Sequence, residues 1–278
     1  MTAFGPIDTA PLFAPLHAEL IGLLRSLTDD EWLRPTIAPG WRVRDVAAHL
    51  LDGDLRHVAA YRDAHFIPLE APIASAADVS RLVNRLNATG VAYAARLSSR
   101  QLVELLELSG GWVIELVNGL PLHGKAIWPV SWAGEDESEN WMDVGRQYTE
   151  RWHHQMQIRD AVGRPLLLQP RWLDPLLDIC VRALPVTYRN VSAPAGTAIR
   201  LEVEATQPRS WLLAIDGTRW SVIADDGREA ACTIQIEADA AWRLLFNALE
   251  PDRARAAMRV SGAERLSRPL LGARSVIV

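Results

Sequence analysis

The residues best suited to chemistry include a glutamate and a histidine that stand four positions apart. Glu150 and His154 are the first and last residues of the run ERWHH, which lies in a segment with helical periodicity. In a helix this spacing projects both side chains from one face, about 6 Å apart along the axis. A carboxylate oxygen and a neutral imidazole nitrogen are ligands that zinc, iron and nickel accept. One helix can therefore supply two ligands to a single divalent ion.

A third candidate ligand, His49, lies about a hundred residues earlier in a second helical segment. It stands three positions after Val46, at the edge of an apolar stripe that also contains Ala47 and Leu50. A buried imidazole needs a polar partner, because burying it unpaired costs free energy. Two histidines and one carboxylate would leave a fourth coordination position for water or substrate, as catalytic zinc sites do.

Spacing alone leaves other interpretations open for these residues. A glutamate and a histidine four apart on a helix are usually solvated or capped, and a single histidine at a helix edge is usually a satisfied core residue. His153 also competes with His154, but the two stand about 100° apart around the helix and cannot point the same way. The spacing from Glu150 favours His154, which leaves His153 on the bundle surface or at the rim of the site. Asp45, one turn before His49, can either orient the His49 ring or face solvent.

Most of the elements that must position these residues are helices. Apolar residues recur with a period near 3.6, and this pattern predicts helices over 11–27, 42–63, 77–97, 99–116, 140–162 and 171–183. The run TDDE at 28–31 has the spelling of a capping box and predicts a short helical turn. Two prolines in 67–75, and many Gly, Pro, Trp and acidic residues in 119–139, predict loops.

The pattern changes after residue 196. Alternation predicts strands over 197–204 and 233–237, and the dipeptide Asp216-Gly217 predicts a tight hairpin between two further strands at 210–215 and 219–224. Helical pieces are expected near 239–247 and 252–257, and a turn at 260–262. The sequence therefore predicts two domains: a mainly α N-terminal helical bundle over 1–190 and a small α+β C-terminal domain over 191–278.

Composition excludes several classes of partner. The net charge of −5 and the pI near 5.8 offer no basic surface for nucleic acid or for an anionic membrane. No apolar run approaches the roughly 20 residues that span a bilayer, and the first residues lack the features of a secretory signal. We expect a cytoplasmic protein whose two cysteines, Cys180 and Cys232, are ordinary buried thiols.

Both histidine segments resemble motifs of a known family. The run PGWRVRDVAAHL (39–50) resembles the first histidine motif of the DinB/YfiT-like metal-binding four-helix bundles, and more narrowly that of the mycothiol-dependent maleylpyruvate isomerases. The run YTERWHHQMQIRDAVG (148–163) resembles the second motif of that family. The C-terminal part is similar to the sterol-carrier-protein-like domain that follows the bundle in this family, through Trp211, Asp216-Gly217, Trp220, the helix at 238–245 and the turn at 260–262.

The resemblance implies a metal centre and a thiol cofactor. Carried over position by position, His49, Glu150 and His154 would bind zinc or another divalent metal. The cofactor would be a low-molecular-weight thiol, mycothiol in this family, which adds to a conjugated double bond and leaves after the bond has rotated. No cysteine of the chain is then needed as the nucleophile. A substrate carboxylate would need an arginine, for which Arg209, Arg219 and Arg228 are the candidates.

The resulting hypothesis is a metal-dependent, thiol-using isomerase or S-transferase, similar to maleylpyruvate isomerase. Its partners would be the thiol and a small electrophile such as an unsaturated carboxylic acid, with no nucleic acid and no membrane. One alternative is a non-catalytic, metal-containing protein of the DinB fold that binds a small ligand or regulates. Another is a bundle that has lost its metal. A homodimer formed through exposed helix faces is an open option.

Overall fold

The structure is a computed structural model that describes residues 5–69 and 72–277. Residues 70 and 71, which belong to the predicted loop, lie outside this described part. So do the first four residues, on which the expectation about a secretory signal rests. The helices of the first two-thirds are α1 (Phe13–Arg25), α2 (Asp29–Trp32), α3 (Val43–Asp63), α4 (Ala76–Ala94), α5 (Ser99–Gly119), α6 (Asn140–Val162), α7 (Pro170–Cys180) and α8 (Leu184–Tyr188). The predicted helices are confirmed, α3 and α6 to within one residue at each end, whereas α8 was not predicted.

Local sequence signals account for several helix ends. Thr28 and Glu31 form the predicted capping box of α2, in which the Thr28 hydroxyl accepts from the Glu31 N–H and the Glu31 carboxylate accepts from the Thr28 N–H at 2.9 Å. At the start of α3, the Asp45 carboxylate accepts a hydrogen bond from the backbone N–H of Arg42 at 2.9 Å. Gly163 adopts a φ of 69° at the end of α6, as the predicted stop signal requires. Asp45 thus has a capping role at the helix start.

One compact unit is built mainly from residues 8–127 and 150–166. In its core, buried apolar side chains of α1, α3 and α5 pack against Ile158 and Val162 of α6, with Ala94 of α4 at one side. Val46, Ala47 and Leu50 of α3 are buried in this core, as the apolar stripe predicts. The helical N-terminal part of the fold prediction is confirmed.

The second compact unit is built mainly from residues 128–149 and 167–276 and contains the sheet. Its strands are β1 (Ala198–Glu204), β2 (Arg209–Asp216), β3 (Arg219–Ala224), β4 (Cys232–Glu237) and β5 (Met258–Gly262). Across the sheet they lie in the order β3-β2-β1-β4-β5. β1 pairs with β4 in parallel, and the other neighbouring strands are antiparallel. Two helices, α9 (Ala238–Leu245) and α10 (Pro251–Ala256), lie between β4 and β5 in the chain. The small α+β domain is confirmed.

The turn predicted at 260–262 is wrong, because these residues end an edge strand. β5 pairs with β4 from Met258 opposite Ile236 to Gly262 opposite Cys232. Its side chains are mostly exposed, including Val260 at 37%. Only Met258 and Val260 alternate with polar residues here, and this stretch is too short for the pattern to distinguish a strand from a turn.

The compact units do not follow the predicted boundary at residue 190. The helices α7 and α8 group with the sheet, since Asp178 of α7 accepts hydrogen bonds from Arg209 and Trp211 of β2, and the Tyr188 ring of α8 lies 5.7 Å from that of Trp220. The division into 1–190 and 191–278 stays a prediction about domains along the chain. In the described part, no helix combines the length and hydropathy needed to cross a membrane.

Asp225, just after β3, binds polar groups from β1, from β2 and from its own loop in the sheet unit. Its carboxylate accepts hydrogen bonds from Arg200 Nε at 2.7 Å, from the hydroxyl of Ser210 and from the N–H of Gly227 at 3.0 Å. The hydrogen bonds from Arg200 outweigh partial burial and hold the pKa of Asp225 well below its ordinary value. The ionised carboxylate therefore stabilises the folded chain.

We expect Asp225→Asn to lower the free energy of unfolding by about 1.5–3 kcal/mol at pH 7, the usual range for hydrogen bonds to a charged group. The pKa of Asp225 is lower in the folded state than in the unfolded chain, where it is about 3.9. The contribution of Asp225 to stability is therefore complete above the unfolded-state pKa and disappears as the pH falls through the folded-state pKa. Urea denaturation of both proteins between pH 3 and 7 measures it. Asp226→Asn, at an exposed carboxylate paired with Arg228, is the control and should cost less, because water screens that pair. If the difference in the free energy of unfolding between wild type and Asp225→Asn did not decrease at low pH, the explanation would be contradicted.

Candidate metal centre

The three candidate ligands are carried by two packed helices. His49 lies in the second turn of α3, at the half-buried edge of the stripe formed by Val46 and Leu50. Glu150 and His154 lie near the middle of α6, where the neighbouring Trp152 side chain is fully buried. The core contacts between α3 and α6 therefore determine where the ligand side chains meet.

His49, Glu150 and His154 converge in space. One potential ligand atom from each lies within 4.8 Å of the other two. His154 Nε2 is 3.4 Å from Glu150 Oε2, and the imidazole rings of His49 and His154 have centroids 4.6 Å apart. The spacing of four in α6 brings two of these groups together, and the fold adds the third from a segment a hundred residues away.

The donor set fits a divalent metal ion. Ligand atoms around a tetrahedral zinc ion lie about 3.3 Å apart, because each is about 2.0–2.2 Å from the metal. Small side-chain rotations would bring atoms now within 4.8 Å to that separation. Within the described residues, the buried Nδ1 of His49 has no hydrogen-bond partner, so this ring is not held by a structural hydrogen bond there. The Glu150 side chain is 26% exposed, so this residue is only partly covered by its neighbours.

Electrostatics favour the protonation states that bind metals. Burial and the neighbouring His154 hold the pKa of His49 well below its ordinary value, against the opposing effect of Glu150. Burial alone would raise the pKa of Glu150, but His153 and His154 outweigh burial and lower it. His49 is therefore neutral and Glu150 ionised at neutral pH, and these are the forms that coordinate divalent ions.

Three further side chains surround the candidate ligands. His153 is buried, and its ring centroid lies 3.9 Å from that of His154, although it is not one of the three converging residues. The Trp41 ring lies 5.0 Å from the His49 ring and stacks at 6.3 Å on that of His154. Gln157 Oε1 lies 2.9 Å from His154 Nδ1. With a proton on Nδ1 this contact is a hydrogen bond to the amide oxygen, and Nε2, on the side of Glu150, is then the nitrogen that could bind a metal.

Sequence reasoning missed Trp41 and Gln157, although the signals were available. Trp41 lies in the same motif as His49, and Gln157 follows His154 by three positions, on the same helix face. The site-rim alternative for His153 agrees with its position against the His154 ring, and the bundle-surface alternative does not, because the side chain is buried.

The remaining histidines lie away from the three converging side chains. His65 and His123 are exposed, whereas His57 is buried with its ring 4.7 Å from that of Tyr61. Burial and the nearby Arg151 lower the pKa of His17 to about 4. None of these four belongs to the group that could hold a metal.

The position of Arg159 near the end of α6 suggests an exposed side chain, but the structure shows a buried one. Its guanidinium is buried and donates to Glu19 at 2.7 Å, to the carbonyl oxygen of Pro165 at 3.0 Å and to Gln155. These partners come from α1, from the segment after α6 and from α6 itself. Arg159 thus joins parts of the helical unit.

In the sheet unit, two of the arginines considered for a substrate carboxylate already bind carboxylates of the chain. Arg209 donates to Asp178 at 2.6 Å and to Asp174 at 3.2 Å, and Arg228 pairs with Asp226. Arg219 is exposed at the end of the hairpin. The prediction for the cysteines is confirmed, since Cys180 and Cys232 are both buried free thiols.

Comparisons with known proteins agree with the motif resemblance. An uncharacterized protein found in two strains of Mycobacterium tuberculosis is 30% identical to this chain over 194 residues. This stretch is 68% of this chain and 71% of the relative. The crystal structure of the mycothiol-dependent maleylpyruvate isomerase has the same fold, with a TM-score of 0.55 and 14% identity over 94% of this chain and 96% of that one. A histidine-to-alanine mutant of that isomerase matches with a TM-score of 0.53 over the same shares.

The part of the chain that carries the candidate ligands identifies the family to which the chain belongs. The family described as "Mycothiol maleylpyruvate isomerase N-terminal domain" matches residues 13–159. This span is more than half of the chain and contains His49, Glu150 and His154 together. The chain therefore belongs to the mycothiol maleylpyruvate isomerase N-terminal domain family.

Proposed function

We propose that this protein is a metal-dependent, thiol-using isomerase or S-transferase that acts on a small electrophile. The observation that carries the proposal is the convergence of His49, Glu150 and His154 within 4.8 Å of one another. Membership of the family and the fold shared with the mycothiol-dependent isomerase support a maleylpyruvate isomerase-like activity. Mycothiol is the thiol proposed, and an unsaturated carboxylic acid is the proposed kind of substrate.

The chain supplies binding and orientation in this proposal. His49, Glu150 and His154 would hold the ion, with zinc the proposed metal because two imidazoles and one carboxylate are a known catalytic ligand set. A divalent ion in such a site stabilises a bound thiol as the thiolate at neutral pH. Gln157 would accept a hydrogen bond from His154 Nδ1, and so would leave Nε2 for the ion.

The surroundings of the ligands suit a small molecule that enters from solvent. The Glu150 side chain is partly exposed, and the half-buried Trp41 ring offers an apolar wall beside His49 and His154. The thiol nucleophile would come from the cofactor, since both cysteines are buried and burial raises the pKa of Cys232. The protein would thus position a thiol and an electrophile next to each other.

A panel of thiols tests the proposal directly. Zinc-loaded protein is mixed with mycothiol, bacillithiol or glutathione, and with maleylpyruvate or monochlorobimane as the electrophile. We expect thiol-dependent turnover, fastest with mycothiol, that is lost in His49→Ala and kept in the matched variant His65→Ala, whose histidine is exposed on the same unit. Metal-loaded protein that is silent with every thiol would overturn the catalytic proposal and favour a metal-containing binding protein.

Gln157 provides a prediction that does not depend on the substrate. We expect Gln157→Leu to weaken zinc binding by about 10- to 100-fold, the usual cost of losing the partner that orients a metal-binding histidine. Gln157→Glu keeps an acceptor for the His154 Nδ1–H and should bind zinc at least as tightly as the wild type. Competition with a chromophoric chelator measures both affinities. Equal zinc affinity in wild type and Gln157→Leu would show that the contact is not needed.

A further inference from the structure

A buried ion pair connects the two helices that carry the candidate ligands. Arg151 of α6 donates through Nη2 to Oδ1 of Asp54 on α3, and their side chains are only 8% and 4% exposed. Ser109 of α5 donates to the other carboxylate oxygen of Asp54 at 2.9 Å. The Arg151 guanidinium carbon also lies 5.6 Å from the centre of the Phe13 ring. Neither Asp54 nor Arg151 is among the three converging ligands.

Stability alone does not explain such a pair in this position. Removing two charges from water costs several kcal/mol per ion, and well-packed apolar residues of similar size are often as stabilising or more so. Burial here raises the pKa of Asp54 in spite of Arg151, which shows that the carboxylate is strongly desolvated. What a buried ion pair supplies better than apolar contacts is a fixed geometry, because its hydrogen bonds tolerate little displacement.

The pair is close to the ligands on both helices. Arg151 directly follows Glu150 in α6, and Asp54 comes five residues after His49 in α3, about 7.5 Å further along the helix axis. A shift of α6 by one residue would move its side chains about 1.5 Å along the axis and about 100° around it. Such a shift would break the bond to Asp54 and also turn Glu150 and His154 away from His49.

We propose that Asp54 and Arg151 form a positioning clasp that sets the register and rotation of α6 against α3, and so holds His49, Glu150 and His154 in a geometry ready for metal. The clasp rests on the proposed function only in that these three residues bind the ion. It assigns to Asp54 and Arg151 a role in metal affinity that is separate from the stability of the fold. Ser109 supports the clasp by occupying the second oxygen of Asp54.

Two variants separate positioning from stability. Asp54→Asn keeps the shape of the side chain but leaves Arg151 without its counter-charge. The double variant Asp54→Leu/Arg151→Met replaces the pair with apolar side chains of similar size, which protects folding if the single variant is too unstable. Glu19→Gln is the matched control, because it breaks another ion pair of α6, between Arg159 and Glu19 of α1, without touching α3.

Three measurements on the full chain test the clasp: urea unfolding of the metal-free protein, Zn²⁺ affinity by chelator competition, and the visible absorption spectrum of bound Co²⁺, which reports coordination geometry. We expect the double variant to remain folded, to bind Zn²⁺ about 10- to 100-fold more weakly, as when a metal ligand loses its orienting partner, and to show an altered Co²⁺ spectrum. Asp54→Asn should lose at least as much affinity, and Glu19→Gln should keep the wild-type affinity and spectrum.

The outcomes distinguish the clasp from the proposed function. Wild-type protein that binds Zn²⁺, together with a double variant of equal affinity and unchanged Co²⁺ spectrum, would overturn the clasp and leave the metal centre standing. Wild-type protein that binds neither ion would overturn both. An equal loss of affinity in Glu19→Gln would also overturn the clasp, because any ion pair of α6 would then have the same effect.

Discussion

Replacement of Glu150 by glutamine should weaken Zn²⁺ binding by about 100- to 1000-fold, since apparent zinc-binding free energies of about 10–16 kcal/mol are shared among some four ligands. Glutamine keeps the size and shape of the side chain but provides no anionic oxygen. In the wild type this oxygen is ionised and lies 3.4 Å from His154 Nε2, on the side where the ligands converge. His49→Ala and His154→Ala should cause losses of the same order.

The loss should be specific to the metal and not to the fold. Chelator competition gives the affinity, and urea unfolding of the metal-free proteins gives the stability. Glu107→Gln is a suitable control, because it makes the same substitution in the same unit at an exposed glutamate paired with Arg25, and it should leave Zn²⁺ affinity unchanged. If Glu150→Gln bound Zn²⁺ as tightly as the wild type, Glu150 could not be a ligand.

The helices could be predicted from the sequence because their signals are local. Apolar periodicity and the residues at each end predict the bounds of α3 and α6 to within one residue. The capping box of α2 is recognisable from four consecutive residues. The pair formed by Glu150 and His154 follows from the same geometry, since positions four apart share a helix face. Local rules are enough wherever both partners belong to one helix.

Contacts between distant segments could not be derived in that way. That His49 meets Glu150 and His154 depends on how α3 packs on α6, and only the family resemblance pointed to it. Arg159 shows the opposite error: its position near a helix end predicted exposure, but its partners Glu19 and the carbonyl of Pro165 bury it. No local pattern carries information about such partners.

The sequence did not reveal the edge strand β5 either. Its last residue, Gly262, is the site of the second prediction with a large expected effect, a loss of stability. β5 has only five residues, most of them exposed, and so short an alternation does not identify a strand. Gly262, which ends the strand opposite Cys232, has a φ of 83°. A Cβ at this position would lie 2.4 Å from the carbonyl oxygen of Ala231, which is backbone and cannot rotate away. No pattern in the sequence indicates that this glycine has no substitute.

We expect Gly262→Ala to lower the free energy of unfolding by about 3 kcal/mol, which combines about 1–2 kcal/mol for a left-handed alanine with the cost of forcing an added carbon into a filled space. The Ala231 carbonyl also accepts the Ala263 N–H at 2.8 Å, so a shift that relieved the clash would weaken this hydrogen bond. Urea denaturation followed by circular dichroism measures the loss.

Gly227→Ala separates the two causes, because Gly227 has nearly the same backbone conformation, with a φ of 79°, and nothing lies within 4 Å of its added Cβ. It should lose only the conformational part, about 1–2 kcal/mol. Equal losses in the two variants would mean that backbone strain alone makes Gly262 necessary and that the edge of the sheet can move to accept a methyl group. A clearly larger loss at Gly262 would mean that β5 is held against the Ala231 backbone too closely for any side chain.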